Sequence, residues 1–186
     1  MTVKEIIEAH EGKMKKALEV LRKEYATLRA GRATPSILDK VMVDYYGTAT
    51  PLNQAATISV PDARTLIIQP WEKAMLAKIE KAILKSDVGI TPNNDGTVIR
   101  LTIPQLTQQR RAELVKMVHK KAEETRVAVR NLRRDANEML KKLEKDKTVS
   151  EDEAKKAQDD VQKLTDKYVK EIDKIAAAKE NEIMEV

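Results

Sequence analysis

Apolar positions recur with helical spacing over both ends of the chain and with strand-like spacing over its middle. Near the N-terminus, Ile7, Met14, Leu21 and Leu28 repeat every seven residues, with His10, Ala17, Leu18 and Tyr25 in the alternate positions, the seam expected of one helix in a bundle. Thr2 and Glu5 are placed as a capping box at its start, and Arg29 followed by Gly31 closes it. A second long helix is predicted from Thr107, an N-cap after Pro104. Its apolar face steps through Leu114, Val118, Ala122, Thr125, Val129, Leu132, Ala136, Met139 and Leu143 in alternating threes and fours. About forty residues at ~1.5 Å each make a rod roughly 60 Å long. A third helix opens at Ser150 with Glu153 and packs through Ala157, Val161, Leu164, Tyr168, Ile172 and Ile175. Three amphipathic helices imply a three-helix bundle.

Between the first two helices the period changes. Val41 to Tyr46, Thr57 to Val60, Thr65 to Gln69 and Thr97 to Ile103 are β-branched runs expected to be strands, and Glu72 to Ser86 carries Met75, Ile79, Ala82 and Ile83 at helical spacing. All six prolines lie between residues 35 and 104, with four of the five glycines at 31, 47, 89 and 96. The expected architecture is α+β: a discontinuous bundle of residues 1–30 and 105–186, with a small β/α/β domain of residues 31–104 inserted. Ala30, Gly31 and Pro35 on the way in, and Pro104 and Gln105 on the way out, form two crossings expected to act as a hinge.

Composition supports two differently built parts. Residues 31–105 carry 15 charged side chains in 75 positions, against 50 in the other 111. The content is 41% hydrophobic with 3% aromatic and no Phe, suited to long helices with narrow seams. With no Cys, disulfide and thiolate chemistry are excluded. The N-terminal acids do not suit a signal peptide, and no stretch approaches the ~20 apolar residues of a membrane span. A cytoplasmic, membrane-free protein is expected.

Catalytic chemistry finds no foothold in the letters. His10 and His119 are the only histidines, with no metal-ligand spacing, so no metal site is expected. His10, alone on an apolar seam, is read as packing. No glycine pattern suits a phosphate loop, and Asn93-Asn94-Asp95-Gly96 reads as a turn. Tyr45 and Tyr46 could stack on bases, but neighbours on a strand face opposite ways, and core packing for one of them is the preferred reading. Paired acids such as Asp159-Asp160 lie in charged helical surroundings, where solvation is the default. The expectation is a non-enzyme without a cofactor.

Charge is more informative once it is divided. Residues 1–30, 31–105, 106–147 and 148–186 contribute +2, +1, +6 and −4 to a net charge of +5. Six of the eleven arginines, at 110, 111, 126, 130, 133 and 134, lie in the basic helix. Guanidinium grips phosphate bidentately and stacks on bases, whereas Lys would serve solubility. At ~100° per residue, Arg126, Arg130, Arg133 and Arg134 share a stripe beside the apolar seam, expected to be exposed, cationic and free of acids. Cross-helix pairing with the acidic last helix is the alternative, and the residues alone leave both open.

Several motifs, spread over nearly the whole chain, resemble the bacterial ribosome recycling factors. They are Leu28-Arg29-Ala30-Gly31-Arg32-Ala33-Thr34-Pro35-Ser36, Val43-Asp44-Tyr45-Tyr46-Gly47, Arg126-Val-Ala-Val-Arg-Asn-Leu-Arg-Arg-Asp-Ala-Asn137, Ser150-Glu-Asp and Gln158-Asp-Asp-Val-Gln-Lys-Leu-Thr165. The resemblance implies an L-shaped protein similar in outline to a transfer RNA, acting as a monomer on the large ribosomal subunit. With elongation factor G and GTP, such a factor splits post-termination ribosomes and releases messenger and transfer RNA. By matching position, Arg29, Arg32, Arg111, Arg130 and Arg133 correspond to the family's contacts with ribosomal RNA, and Arg126 and Arg134 join them as neighbours on the stripe.

Overall fold

In the computed structural model, which describes residues 1–28 and 31–185, the chain forms two compact units. One joins the N-terminal helix to Thr107–Glu185; the other ends at Leu106.

Three helices make the first unit: α1 (Val3–Thr27), α3 (Gln108–Lys145) and α4 (Glu151–Met184), with α2 belonging to the insert. Each starts on a hydroxyl cap, as orphan first-turn N–H groups require. The Thr2 hydroxyl accepts from the Glu5 N–H at 3.2 Å while the Glu5 carboxylate accepts from the Thr2 N–H at 2.8 Å. Thr107 accepts from the Arg110 N–H and Ser150 from the Glu153 N–H, each at 3.1 Å. Helix α1 stops at Thr27, with Leu28 extended (φ −80°, ψ 115°) and no basic residue in the last turn. The expected closure by Arg29 is thereby corrected, Arg29 and Ala30 themselves lying outside the described residues.

The buried face of α1 is Ile6, His10, Met14, Leu18, Leu21 and Tyr25. Ile7, placed in the seam by the seven-residue repeat, is on its rim. A straight helix drifts ~20° per heptad from a strict 3.5-residue repeat, so three heptads back from Leu28 the inward direction has moved by most of a residue. Ile6 instead packs against Ala136 and Leu140 of α3 and Ala157 and Val161 of α4. The same shift makes Leu140 the buried residue near the end of α3, with Met139 and Leu143 only partly buried. His10 is buried, its Nδ1 donating to the Ile6 carbonyl at 2.7 Å, in agreement with the packing reading.

Tyr25 ties α1 to α3 by donating to the Val118 carbonyl at 2.6 Å. Burial pushes this phenol up to about 12 from its ordinary 10.0. A tyrosine is neutral when protonated, so a raised folded value means that the folded chain holds the proton more tightly than the unfolded one. The associated stability is complete below pH 10 and is lost as pH climbs towards 12. Tyr168, whose hydroxyl donates to Glu11 at 2.9 Å, is pushed up to about 12 by burial and then by that carboxylate, with the same sign. Tyr25→Phe is expected to lower stability at neutral pH by about 0.5–1.5 kcal/mol. The gap to the parent chain should shrink above pH 10, as followed by denaturant unfolding at stepped pH.

The insert holds a four-stranded antiparallel sheet of order β3-β4-β6-β5, formed by Ala56–Asp62, Thr65–Pro70, Ile99–Thr102 and Asn93–Asn94 respectively. A separate hairpin pairs β1 (Met42–Tyr45) with β2 (Thr48–Pro51). Alternation puts Leu66, Ile68, Ile99 and Leu101 on the inner face, where they share one core with Ile79 and Ile83 of α2 (Leu76–Lys85). Residues 73–75, expected in that helix, form a preceding 3-10 turn. Strands β2 and β5 lacked a β-branched run and were not anticipated. Both ends of the insert fasten to one turn: the Ala33 N–H donates to the Ala63 carbonyl and the Ile103 N–H to the Arg64 carbonyl, both at 2.8 Å. The Asp95 carboxylate accepts from the N–H groups of Thr97 and Val98, and Gly96 has φ 91°, so the expected turn is confined to Asp95 and Gly96, while Asn93 and Asn94, also expected in it, pair with β6.

Tyr45 and Tyr46 depart from the expected opposite-facing pair. Tyr46 and Gly47 have φ of 51° and 85°, the left-handed pair of a tight hairpin turn. Because Tyr46 belongs to the turn and not to the strand, both phenols reach Glu72. Tyr45 donates at 2.8 Å, Tyr46 donates to the other carboxylate oxygen, and the rings meet edge to face at 4.9 Å. Tyr45 packs on the core while Tyr46 is 69% exposed.

Candidate nucleic-acid interface

The arginine stripe is laid out by α3, whose core residues Ala122, Val129, Ala136 and Leu140 fix which way the rest of the helix faces. Arg126, Arg130, Arg133 and Arg134 then lie within about 100° of arc at ~100° per residue, spread over ~12 Å of helix axis. The structure brings these four together on one face. They are not equivalent.

Arg126 is the most enclosed, its side chain 22% exposed. Its Nε and Nη2 donate to Asp173 Oδ1 of α4 at 2.8 and 2.7 Å, and its Nη1 donates to Glu123 Oε2 at 3.1 Å. Burial works against its charge, but the two carboxylates outweigh burial and hold the guanidinium above its ordinary value. Arg130 is half-exposed and lies 3.7 Å from Glu123 Oε1. Arg133 meets an amide, its Nη1 donating to Gln162 Oε1 at 3.4 Å, and the Gln162 amide donates in turn to Asp166 at 2.9 Å. Arg134 is exposed, and among the described residues no ion pair holds it.

The expectation of a stripe without acids is therefore corrected. Glu123 stands one turn before Arg126 on the same face, and Asp173 reaches it from the neighbouring helix. The cross-helix pairing left open by the residues is realised at Arg126, and the open cationic surface is concentrated at Arg133 and Arg134. Glu123 was visible in the sequence as an acid three residues before one arginine and seven before another. Asp173 had no local signal, because its contact depends on how α3 and α4 pack.

Arg111 is not part of the stripe. Fifteen residues before Arg126, it is turned about 60° towards the core side at ~100° per residue. Its Nε is buried without a hydrogen-bond partner among the described residues. Arg32 is exposed and belongs to the insert. Of the expected hinge residues, Gly31 has φ 74°, which favours glycine, and Pro104 and Gln105 are exposed. Pro35 starts a 3-10 turn, Pro35–Leu38, inside the insert. Arg29 and Ala30 fall outside the described residues. No helix is long and apolar enough to cross a membrane, and no group of three His, Asp or Glu side chains could hold a metal, both among the described residues.

The family model described as ribosome recycling factor matches residues 21–184. A ribosome-recycling factor of Desulforamulus reducens is 68% identical over 184 residues, covering 99% of this chain and 100% of the relative. That of Carboxydothermus hydrogenoformans is 62% identical with the same coverage. Among solved structures, the solution structure of a ribosome recycling factor matches with a TM-score of 0.78 and 45% identity, covering 100% of this chain and 99% of the other. A second match has a TM-score of 0.64 and 48% identity, covering 99% of this chain and 100% of the other. It comes from models of the T. thermophilus ribosome recycling factor and the E. coli elongation factor G bound to the E. coli post-termination complex. With a family match over most of its length and near-complete relatives above 60% identity, this chain belongs to the ribosome recycling factor family.

Proposed function

We propose that this chain recycles post-termination ribosomes by anchoring its bundle on large-subunit ribosomal RNA through Arg130, Arg133 and Arg134, and that elongation factor G and GTP then drive subunit separation. The observation that carries the anchoring half is the α3 face on which Arg133 and Arg134 meet no carboxylate directly, Arg133 being met from α4 by the Gln162 amide. Guanidinium groups so placed can take phosphate oxygens in pairs. Arg29, Arg32 and Arg111 extend this reading by family correspondence, as additional contacts.

The chain acts as a non-catalytic device, with no cofactor of its own: it supplies grip and leverage, and nucleotide hydrolysis belongs to the translocase. Bending is assigned to Gly31 with its neighbours and to Pro104-Gln105, because Ala33 and Ile103 are already fastened inside the insert. The site of action is the cytoplasm. The test is light scattering of post-termination ribosomes mixed with this protein, elongation factor G and GTP. A fall in scattering that requires all three is expected. Unchanged scattering, with binding intact, would remove the recycling half of the reading and leave the anchor.

A further inference from the structure

Within the stripe, the hydrogen bonds divide the arginines into two kinds. Of Arg126's donors, Nε, Nη1 and Nη2 are all committed to carboxylate oxygens at 2.7 to 3.1 Å. The side chain is 22% exposed, against 43% for Arg130. Its charge also acts on the buried Tyr25 phenol of α1, opposing the effect of burial there. Three of the five guanidinium N–H groups of Arg126 are thus held by carboxylates, and a phosphate taking the Nε–Nη2 edge in pairs would have to displace Asp173 from it. That exchange offers little gain, since one charge-assisted bond replaces another.

The two carboxylates show what Arg126 does instead. Glu123 is shared: Oε2 accepts from Arg126 at 3.1 Å and Oε1 lies 3.7 Å from Arg130. Asp173, from the acidic α4, would otherwise face the same stripe. Asp173, Arg126, Glu123 and Arg130 form a row of alternating charge whose net value is zero. Deleting Arg126 leaves two carboxylates and one arginine. Glu123 would then close on Arg130, whereas Arg133 and Arg134, ~15–17 Å further along the axis, lie beyond about one Debye length at ordinary salt.

We propose that Arg126 is a positioning residue, not an RNA contact: it neutralises Glu123 and Asp173 so that Arg130 remains available to phosphate beside Arg133 and Arg134. The inference rests on the anchoring reading above and gives it an internal antagonist in Glu123.

The experiment measures affinity for purified large ribosomal subunits from ~50 to ~200 mM salt, where each phosphate contact adds to the slope of log K against log salt. Four chains are compared with the parent: Arg126→Ala, Glu123→Gln/Asp173→Asn, the triple variant combining them, and Arg133→Ala. Arg126→Ala is expected to weaken binding about tenfold and to lower the slope by up to about one, because Glu123 then claims Arg130; a lost direct contact would do the same, so the carboxylate-free background separates the two. In the Glu123→Gln/Asp173→Asn background, removing Arg126 is expected to change affinity by less than about twofold, because nothing is left to neutralise. That background alone binds more tightly than the parent. A loss that persists when the triple variant is compared with the double would overturn the proposal, as would an unchanged affinity in Arg126→Ala. If Arg126→Ala does not fold, the comparison of triple with double variant decides by the same criteria. Arg133→Ala separates the two readings. If it costs neither affinity nor slope, the anchor itself has failed; if it costs both while Arg126→Ala is silent, only the positioning role has.

Discussion

Leu21→Ala is expected to destabilise the bundle by about 2–5 kcal/mol, a range set by how far the site collapses around the missing atoms. Leu21 has no exposed surface and is the fifth of the six buried residues along α1. Both other helices of the unit pack on α1, so a cavity there has walls on three rods that are hard to draw together. The measurement is a urea titration followed by far-UV circular dichroism, because α1, α3 and α4 supply 25, 38 and 34 helical residues against 10 in α2. The signal therefore reports the bundle. Trp71 is the chain's one tryptophan and lies in β4's exit from the insert sheet, 63% exposed with its indole N–H donating to Thr57 at 3.0 Å. Its fluorescence reports the insert. The dichroism midpoint should fall with its slope retained, while Ile79→Ala, buried in the insert core, should lower the fluorescence midpoint. A dichroism midpoint that does not move in Leu21→Ala would mean that α1 contributes little to holding the bundle together.

The features that could be read from the letters are those fixed by neighbours in sequence. Caps at Thr2, Thr107 and Ser150 need only a hydroxyl and the first turn of a helix, and all three are present. Amphipathic periods over tens of residues announce the long helices because every turn repeats the same message. The change of period and the proline cluster announce the insert. Register along the seam was less legible: a seven-residue count chose Ile7 and Leu143, and the accumulated drift between 3.5 and 3.6 residues per turn moved burial to Ile6 and Leu140. Short strands such as Asn93–Asn94 owe their existence to a partner strand and carry no pattern of their own. Tyr46 failed for a local reason. A β-type residue was read as strand, yet the glycine after it made a turn that needs positive φ at both positions.

The site divides in the same way. Helical spacing alone could align the arginines and exclude none of them. Which of them is free depends on α4, whose Asp173 and Gln162 stand opposite Arg126 and Arg133 and treat them differently, one as a carboxylate and one as an amide. An amide accepts a hydrogen bond without cancelling the charge. The excess of +6 on residues 106–147 thus overstates the cationic field in the middle of α3 and describes it well near Arg133 and Arg134.

Arg133→Ala/Arg134→Ala is expected to reduce affinity for the large subunit by more than about a hundredfold and the salt slope by about two. Each guanidinium is taken to make one phosphate contact whose charge-assisted bonds contribute roughly 1.5–3 kcal/mol. Neither has a carboxylate to return to, so the free protein gains nothing to offset the loss. Lys155→Ala/Lys156→Ala removes the same total charge from exposed positions on α4, outside the stripe. If net charge governed binding, the two double variants would weaken it equally; a local grip makes the α3 pair far the costlier. Arg133→Lys/Arg134→Lys adds the last distinction. Lysine keeps the charge and therefore most of the salt slope, but presents a single point in place of a planar fork, so affinity should fall while the slope stays. Subunit splitting by all three variants should recover at high protein concentration, since the loss lies in binding and the leverage is intact. A splitting rate that stays low in Arg133→Ala/Arg134→Ala when the ribosome is saturated would place these arginines in the separation step itself and not in the anchor.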